Sequence, residues 1–303
     1  MTVRVGLTAP WDLDRLHPTE RQARLAAVAD AGIDHLFTAD HVSFVGGNGI
    51  DGVVRLAAWS GIEPRLDLHL GVFLLALRHP MVAARQIATL AEAAPGRVVI
   101  GVGVGGEDRH EFEVCGVDPA TRGRRTDVAL DLVRRLLAGE TVDGDGEFFD
   151  FEAGRIRPTP TPSVPFVVGG RSDAAVHRAG RLGDGWLAAW CSPRRFAEAT
   201  AEVERVGADR EVDWRHGLQT WVGVGVDRVD ARSHVAEGMA AFYGLPFEPF
   251  ETYTPVGTAD DIVEFLAPYV DAGAHTLNLT PCGPDRATEL EVMAEVAERL
   301  RSR

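Results

Sequence analysis

The chain has 303 residues, of which 45% are apolar and 25% charged, values typical of a soluble globular protein that buries a large core. Its net charge of −14 argues against non-specific binding to nucleic acid or to an anionic membrane. Three widely spaced cysteines, Cys115, Cys191 and Cys282, form neither a C-x-x-C motif nor a disulfide framework. The sequence shows neither an apolar N-terminal signal segment nor a long apolar run, so the chain is expected to be cytoplasmic and not to associate with membranes.

Short apolar runs alternate with longer amphipathic stretches along the whole chain, as in a fold of alternating strands and helices. The predicted strands are Val3–Thr8, His35–Ala39, Leu68–Leu75, Val98–Gly103, Phe166–Val168, Gly185–Ala189, Gly217–Val226 and His275–Thr280. The predicted helices are Glu20–Ala31, Val53–Gly61, Val82–Ala94, Thr126–Leu137, Ser172–Arg181, Pro193–Val206, Asp230–Ala241, Asp260–Ala272 and Ala287–Leu300. Pro268 is expected to kink or shorten the helix in which it lies.

About eight strand-then-helix units, with no linker between them, favour a closed parallel barrel over an open sheet. The sequence therefore predicts a single α/β domain over residues 1–303, a (β/α)8 TIM barrel with insertions. The insertions are the weakly patterned segments Ser43–Asp51, Thr141–Pro165 and Tyr243–Pro255. The second of them is rich in glycine and proline, which indicates a hairpin or an extended segment. We expect all three to shape the substrate pocket.

The stretch VVIGVGVGGEDRHEF, residues 98–112, spells G-x-G-x-x-G through Gly101, Gly103 and Gly106. A dinucleotide-binding Rossmann turn lies in the first βαβ unit and is followed about 20 residues later by an acidic residue at a strand end. Here three units precede the glycines, and Asp127 falls inside a predicted helix. The context argues against a Rossmann turn. A tight strand-to-loop turn remains open, as does a loop whose N–H groups meet a cofactor at the mouth of the barrel.

Asp40 and His41 follow the second predicted strand, at the end that faces the catalytic mouth of such a barrel. A histidine there can transfer protons near neutral pH, and the adjacent carboxylate can orient a ligand. The simpler alternative is a histidine bonded to a neighbouring backbone group. The remaining histidines show no H-x-H or H-E-x-x-H spacing, so no metal site is predicted.

The stretch PFVVGGRSDAAVHRAG, residues 165–180, reads as a strand, a turn and a helix. Gly169 and Gly170 allow the backbone to approach a ligand closely. Ser172 is a good helix N-cap, and Arg171 adds a fixed positive charge suited to phosphate. This chemistry leaves an anion site and an ordinary β–α turn equally open.

Several stretches, in their order and spacing, resemble the bacterial luciferase-like monooxygenase superfamily, and within it the coenzyme F420-dependent oxidoreductases. They are AAVADAGIDHLFTADH, LGVFLLALRHPMVAARQIATLAEAAPGRVVIGVGVGG, GVDPATRGRRTDVALDLVRRLLAGE, PFVVGGRSDAAVHRAGRLGDGWLA and VGTADDIVEFLAPYVDAGAHTLNL. Each stretch alone is a loose match, and the whole series runs nearly from end to end of the chain. The resemblance implies the same barrel with insertions, and a homodimer.

The resemblance also implies a flavin or deazaflavin at the C-terminal mouth of the barrel. In this family the ring lies against a bulge in the third strand, often with a non-prolyl cis peptide, and that position matches Gly71-Val72. The cofactor phosphate is held by backbone groups after strands four and five. These match Val104-Gly105 and Gly169-Gly170, with Arg171 and Ser172 beside them.

Asp40 matches a residue near the deazaflavin ring, and His41 matches a proposed catalytic acid/base. A related deazaflavin-dependent glucose-6-phosphate dehydrogenase has a catalytic tryptophan four residues after that histidine and a glutamate in the glycine loop. Those positions match Val45 and Gly106 here, and Glu107 is near the second without matching it. Glucose 6-phosphate is therefore not expected as the substrate.

The sequence thus predicts an oxidoreductase that transfers a hydride between F420 and an unidentified small organic molecule. In this hypothesis His41 moves a proton, and Asp40 orients the ring or His41. One alternative is an FMN-dependent monooxygenase that uses oxygen and a partner flavin reductase. Another is a barrel that binds a cofactor without turnover, and a nicotinamide-dependent Rossmann dehydrogenase is the least favoured.

Overall fold

The computed structural model describes residues 2–105 and 108–303. Its strands are β1 (Arg4–Thr8), β2 (His35–Thr38), β3 (His41–Phe44), β4 (Asn48–Ile50), β5 (Asp67–Phe73), β6 (Val98–Val102), β7 (Phe166–Gly169), β8 (Gly185–Ala189), β9 (Gly217–Val224), β10 (Val256–Gly257) and β11 (Thr276–Cys282). Parallel strands pair in the order β1, β2, β5, β6, β7, β8, β9 and β11, and β11 pairs with β1. These eight strands close a barrel, which confirms the predicted fold class.

Helices follow the strands and surround the barrel. They are α1 (Pro18–Asp30), α2 (Gly52–Trp59), α3 (Pro80–Ala93), α4 (Arg109–Val114), α5 (Arg122–Leu137), α6 (Asp173–Leu182), α7 (Pro193–Val206), α8 (Arg228–Tyr243), α9 (Ala259–Asp271) and α10 (Arg286–Arg301). Barrel strands and helices share one continuous apolar core. Within the described ranges, no helix has both the length and the apolar character needed to cross a bilayer.

The predicted barrel strands and helices are all present, with ends shifted by a few residues. The largest shift is at α5, which begins at Arg122 rather than Thr126. Pro268 lies in the last turn of α9, and the helix continues to Asp271, so the expected shortening is wrong. Proline removes one N–H donor, but its own carbonyl still accepts a bond from the N–H of Ala272 (3.1 Å).

Among the elements that the sequence did not predict, two that lie beside the mouth of the barrel bear on the site. The first is the antiparallel hairpin β3–β4, which leaves the barrel directly after β2 within the segment expected to be irregular. The second is α4, whose six residues are too few to show a helical period. Its N-cap Asp108 accepts a hydrogen bond from the N–H of His110 (2.9 Å).

The other two insertions contain little regular secondary structure, as expected. An isolated antiparallel bridge joins Val142 to Gly154 in the segment before β7. The segment after α8 contains a 3-10 helix over Glu248–Tyr253. It packs beside α8 at the carboxyl end of the barrel, where Phe247 and Phe250 join an apolar cluster.

The third barrel strand, β5, carries a bulge. Its register against β6 shifts between Leu70 and Phe73, and the peptide between Gly71 and Val72 is cis, as the resemblance implies. A Cβ atom at Gly103 would overlap Cγ2 of Val72, and one at Gly169 would lie 2.8 Å from its Cγ1. Glycines on β7 and after β6 therefore leave room for the Val72 side chain.

The steric role of Gly103 gives a test of this packing. In Gly103→Ala, the new methyl group meets Val72, and we expect a loss of about 1–3 kcal/mol, or a Tm lower by roughly 2–6 °C. Gly61→Ala is the matched control because nothing lies within 4 Å of the place its methyl group would take and its φ is ordinary. Thermal unfolding by circular dichroism measures both variants. Equal shifts in the two would contradict the packing role.

Candidate active site

A cavity of about 440 Å³ opens at the carboxyl ends of the barrel strands, a volume typical of sites for small molecules. The loops after β2, β5, β6 and β7 supply much of its lining. All ten predicted site residues line it, namely Asp40, His41, Gly71, Val72, Val104, Gly105, Gly169, Gly170, Arg171 and Ser172. Their placement together agrees with the sequence analysis, while the role of each remains a prediction.

The floor of the cavity is tied to the barrel interior by a chain of hydrogen bonds. Nε2 of Gln219 donates to the carbonyl oxygen of Gly71 (3.1 Å), and Nδ2 of Asn278 donates to Oε1 of Gln219 (3.2 Å). Oδ1 of Asn278 lies 2.7 Å from Nε2 of His35, so that nitrogen carries the proton. Burial lowers the pKa of His35 to about 4, which keeps its ring neutral at pH 7. All hydrogen bonds of this series therefore point in the same direction, from His35 to the carbonyl of Gly71.

One side of the cavity presents backbone N–H groups. Among the described residues, none accepts a hydrogen bond from the N–H of Val104, Gly105, Gly170 or Arg171. Gly105 has a φ of +59° and Gly170 a φ of +132°, both in the region that favours glycine. The sequence analysis predicted that these four positions contact a cofactor phosphate, and the positive φ angles explain why two of them are glycines.

The same side carries positive charge and a helix N-terminus. Ser172 caps α6, with its hydroxyl accepting from the N–H of Ala175 (3.3 Å). The guanidinium of Arg171 lies 5.3 Å from the ring centre of Trp190. The N–H groups, the helix N-terminus and the arginine together form a donor set suited to a phosphate.

Asp40 is a buried carboxylate held by three donors. The N–H of Gly52 (3.0 Å), the N–H of Leu74 (3.1 Å) and Nη2 of Arg78 (2.8 Å) all donate to it. Burial raises the pKa of Asp40 above its ordinary value, although Arg78 and the two N–H groups act in the opposite direction. Asp40 makes no hydrogen bond to His41 in the described part of the chain. Its contacts join the loops after β2 and β5, so it does not orient His41 through a hydrogen bond, and its expected role of orienting the ring stays a prediction.

Glu111 on α4 orients His41 instead. Its carboxylate lies 3.1 Å from Nδ1 of His41 and accepts from the N–H groups of Val42 (2.7 Å) and Ser43 (3.2 Å). Burial alone raises the pKa of Glu111, but the hydrogen bonds from His41, Ser43 and Val42 outweigh it and hold the pKa below its ordinary value. Because the ionised carboxylate only accepts, Nδ1 of His41 carries a proton and Nε2 is left for other chemistry.

Sequence reasoning missed Glu111, Gln219 and Asn278. Glu111 lies 70 residues from His41 on a helix that the sequence did not predict. Gln219 and Asn278 occupy the middle of barrel strands, where only the closed barrel shows that both side chains point inward. For Gln219 and Asn278 the one available signal was a side-chain amide within a mostly apolar strand.

The two positions that argue against glucose 6-phosphate differ in what the structure shows. Val45 is 43% exposed at the tip of the β3–β4 hairpin, and its N–H donates to Asp108 (2.9 Å). Gly106 and Glu107 lie outside the described residues. The acidic partner that His41 does have, Glu111, comes from α4 rather than from the glycine loop.

A metal centre finds no support in residues 2–105 and 108–303. In these ranges no group of three or more histidine, cysteine, aspartate or glutamate side chains is arranged to hold a metal ion.

Two curated relatives show a clear sequence likeness. The chain is 31% identical over 225 residues, 69% of its length and 66% of the relative's, to an F420-dependent glucose-6-phosphate dehydrogenase of Beutenbergia cavernae. It is 35% identical over 157 residues to an uncharacterized protein of Mycobacterium tuberculosis. The matched region spans only about half, 54%, of the length of that second relative.

Solved structures share the fold over nearly the whole chain. An F420-dependent secondary alcohol dehydrogenase, in complex with an F420-acetone adduct, superposes with a TM-score of 0.84 at 18% identity, covering 99% of this chain and 100% of that one. An oxygenating constituent of a diketocamphane monooxygenase from Pseudomonas putida, in complex with FMN, gives a TM-score of 0.76 at 16% identity, covering 100% and 99%. The luciferase-like monooxygenase family model matches residues 3–253. With this match over most of its length, the chain belongs to the luciferase-like monooxygenase family.

Proposed function

We propose that this protein is an F420-dependent oxidoreductase that transfers a hydride to or from a small organic substrate. One observation carries the proposal, namely that a phosphate-type donor set, the Val72 bulge and a histidine oriented by a carboxylate all face one cavity. The F420-dependent relative and the F420-dependent structural neighbour support it.

The residues present fit such a cofactor. The N–H groups of Val104, Gly105, Gly170 and Arg171, with the Arg171 guanidinium, would hold its phosphate. Val72 presents an apolar surface at the cavity floor, against which a flat ring packs. When bound, F420 supplies a ring carbon that accepts or gives up a hydride.

His41 performs the proton transfer. As a substrate carbon loses a hydride, the proton on its oxygen has to leave, and the free Nε2 of His41 accepts it. In the opposite direction the same atom returns the proton. Glu111 stabilises the protonated imidazole and fixes its orientation, since it bonds both Nδ1 and the N–H groups of the next two residues. Asp40 stabilises the shape of the cavity by accepting hydrogen bonds from the N–H groups of Gly52 and Leu74.

An FMN-dependent monooxygenase is a second candidate function, because the FMN-containing neighbour shares the fold over the whole chain. It requires oxygen and reduced FMN from a partner reductase. These two candidates differ in the cofactor that binds at equilibrium. A third candidate, a barrel that binds F420 without turnover, differs from the first in activity alone.

A titration with each cofactor separates the first two candidates. We expect the protein to bind F420 by isothermal titration calorimetry, and Arg171→Ala to weaken that binding about tenfold or more by removing a cation from the phosphate. Arg194→Ala is the control because its side chain is 84% exposed and pairs with Glu198 (2.9 Å). Tight FMN binding with no F420 binding would reject the proposal in favour of the monooxygenase.

The role of His41 has a kinetic test. With F420 and a panel of alcohols, His41→Ala should turn over about 10²–10⁴-fold more slowly while its Kd for F420 stays unchanged. His110→Ala, on an exposed side chain, serves as the control. Full turnover by His41→Ala with F420 bound would remove His41 from the mechanism. F420 binding without turnover in the unmodified protein would favour the non-catalytic barrel.

The positioning role of Glu111 is testable without any substrate. In Glu111→Ala the N–H groups of Val42 and Ser43 lose their acceptor, so we expect their amide hydrogens to exchange at least about tenfold faster. Glu113→Ala, on the exposed side of the same helix, should leave both rates unchanged. Hydrogen exchange followed by NMR measures both variants. Unchanged exchange in Glu111→Ala would show that Glu111 does not hold this segment.

A further inference from the structure

A second cavity, of about 740 Å³, adjoins the first. It lies between the segment after β1, the hairpin β3–β4, the C-terminal half of α8 and the start of α10. The two cavities share a wall that includes His41, Phe44, Trp221 and Phe242. His41 therefore faces both the predicted cofactor space and this additional space.

The shared wall is aromatic. The ring centre of Phe242 lies 5.5 Å from that of Trp11, 5.6 Å from Phe44 and 5.8 Å from Trp221, and Phe44 stacks on the imidazole of His41 at 4.2 Å. Trp11 leaves 49% of its surface exposed, an unusual state for so large an apolar side chain. Such a cluster of rings next to open space favours the burial of an apolar, ring-bearing molecule.

The charges around the second cavity disfavour an anionic ligand. Its lining contains two guanidinium groups, from Arg15 and Arg286, and three carboxylates, from Asp12, Glu237 and Glu289. Arg286 is itself paired with Glu289 (2.7 Å). A phosphate site requires a surplus of cationic donors, whereas the carboxylates are in excess here.

We propose that this cavity binds the carbon skeleton of a neutral, ring-bearing secondary alcohol or ketone, with the oxygen of the substrate toward His41. The redox part of this inference rests on the proposed function. The alcohol loses a hydride from its carbinol carbon to F420 and its hydroxyl proton to Nε2 of His41 as the C=O bond forms, and ketone reduction is the reverse. A three-carbon ketone would fill only a small part of the 740 Å³, so the cavity has room for a larger substrate.

A binding measurement without turnover tests the substrate class. The probe is 4-phenylbutan-2-one, titrated calorimetrically into protein saturated with oxidised F420, where ketone and cofactor are both oxidised and no hydride moves. We expect a Kd at least about tenfold lower than those of acetone and glucose 6-phosphate. A Kd for either comparison ligand equal to or lower than that of the phenyl ketone would overturn the inference.

Paired variants locate the site. Ala241 lines the second cavity and not the first, so Ala241→Trp should fill it and raise the Kd for the phenyl ketone at least about tenfold, with F420 binding unchanged. Ala240→Trp, at the neighbouring exposed position of α8, is the matched control and should change neither constant. An unchanged ketone Kd in Ala241→Trp would place the ketone elsewhere and overturn the inference.

Failure of this inference and failure of the proposed function are distinguishable. Repeating the ketone titrations without F420 separates them. If the protein binds no F420 but binds the phenyl ketone, and Ala241→Trp weakens that binding, the proposed function fails and the assignment of the cavity is supported. If F420 binds but the ketone shows no preference over acetone, the assignment fails and the proposed function stands.

Discussion

The site depends on how the bulge in β5 packs against glycines of neighbouring strands. The backbone leaves regular register at Gly71, and the side chain of Val72 enters space that a methyl group at Gly103 or Gly169 would occupy. A Cβ at Gly71 would in turn overlap Oε1 of Gln219, whose amide nitrogen bonds the Gly71 carbonyl. Steric exclusion and one polarised hydrogen-bond chain thus fix the cavity floor.

Two buried carboxylates have different structural roles, since one contacts the loops that shape the cavity and the other contacts His41. Asp40 joins the loops after β2 and β5 through Gly52, Leu74 and Arg78, so it sets the outline of the cavity. Glu111 bonds His41 and the start of the β3–β4 hairpin, so it sets the direction of the imidazole. Because His41 lines both cavities, the hairpin places the proposed proton-transferring group between the proposed cofactor space and the proposed substrate space.

The sequence was most informative where a local pattern determines structure. Alternating apolar runs and amphipathic stretches predicted every barrel strand, and resemblance led to the cis peptide at Gly71-Val72. It was least informative about contacts between distant segments. The pairing of His41 with Glu111 depends on the short helix α4, which has no detectable period, so the sequence offered only the neighbouring Asp40 as a group that could orient His41. The G-x-G spelling has a packing reason, since Gly103 makes room for the side chain of Val72.

The proposed function requires that the Val72 bulge and the N–H groups beside it form the binding site of a deazaflavin. A crystal structure of the protein with F420 tests it most directly. We expect the ring to lie against Val72, and a phosphate oxygen to lie within hydrogen-bonding distance of the N–H groups of Val104, Gly105, Gly170 and Arg171. A phosphate held at any other part of the protein, or a ring bound away from Val72, would contradict it.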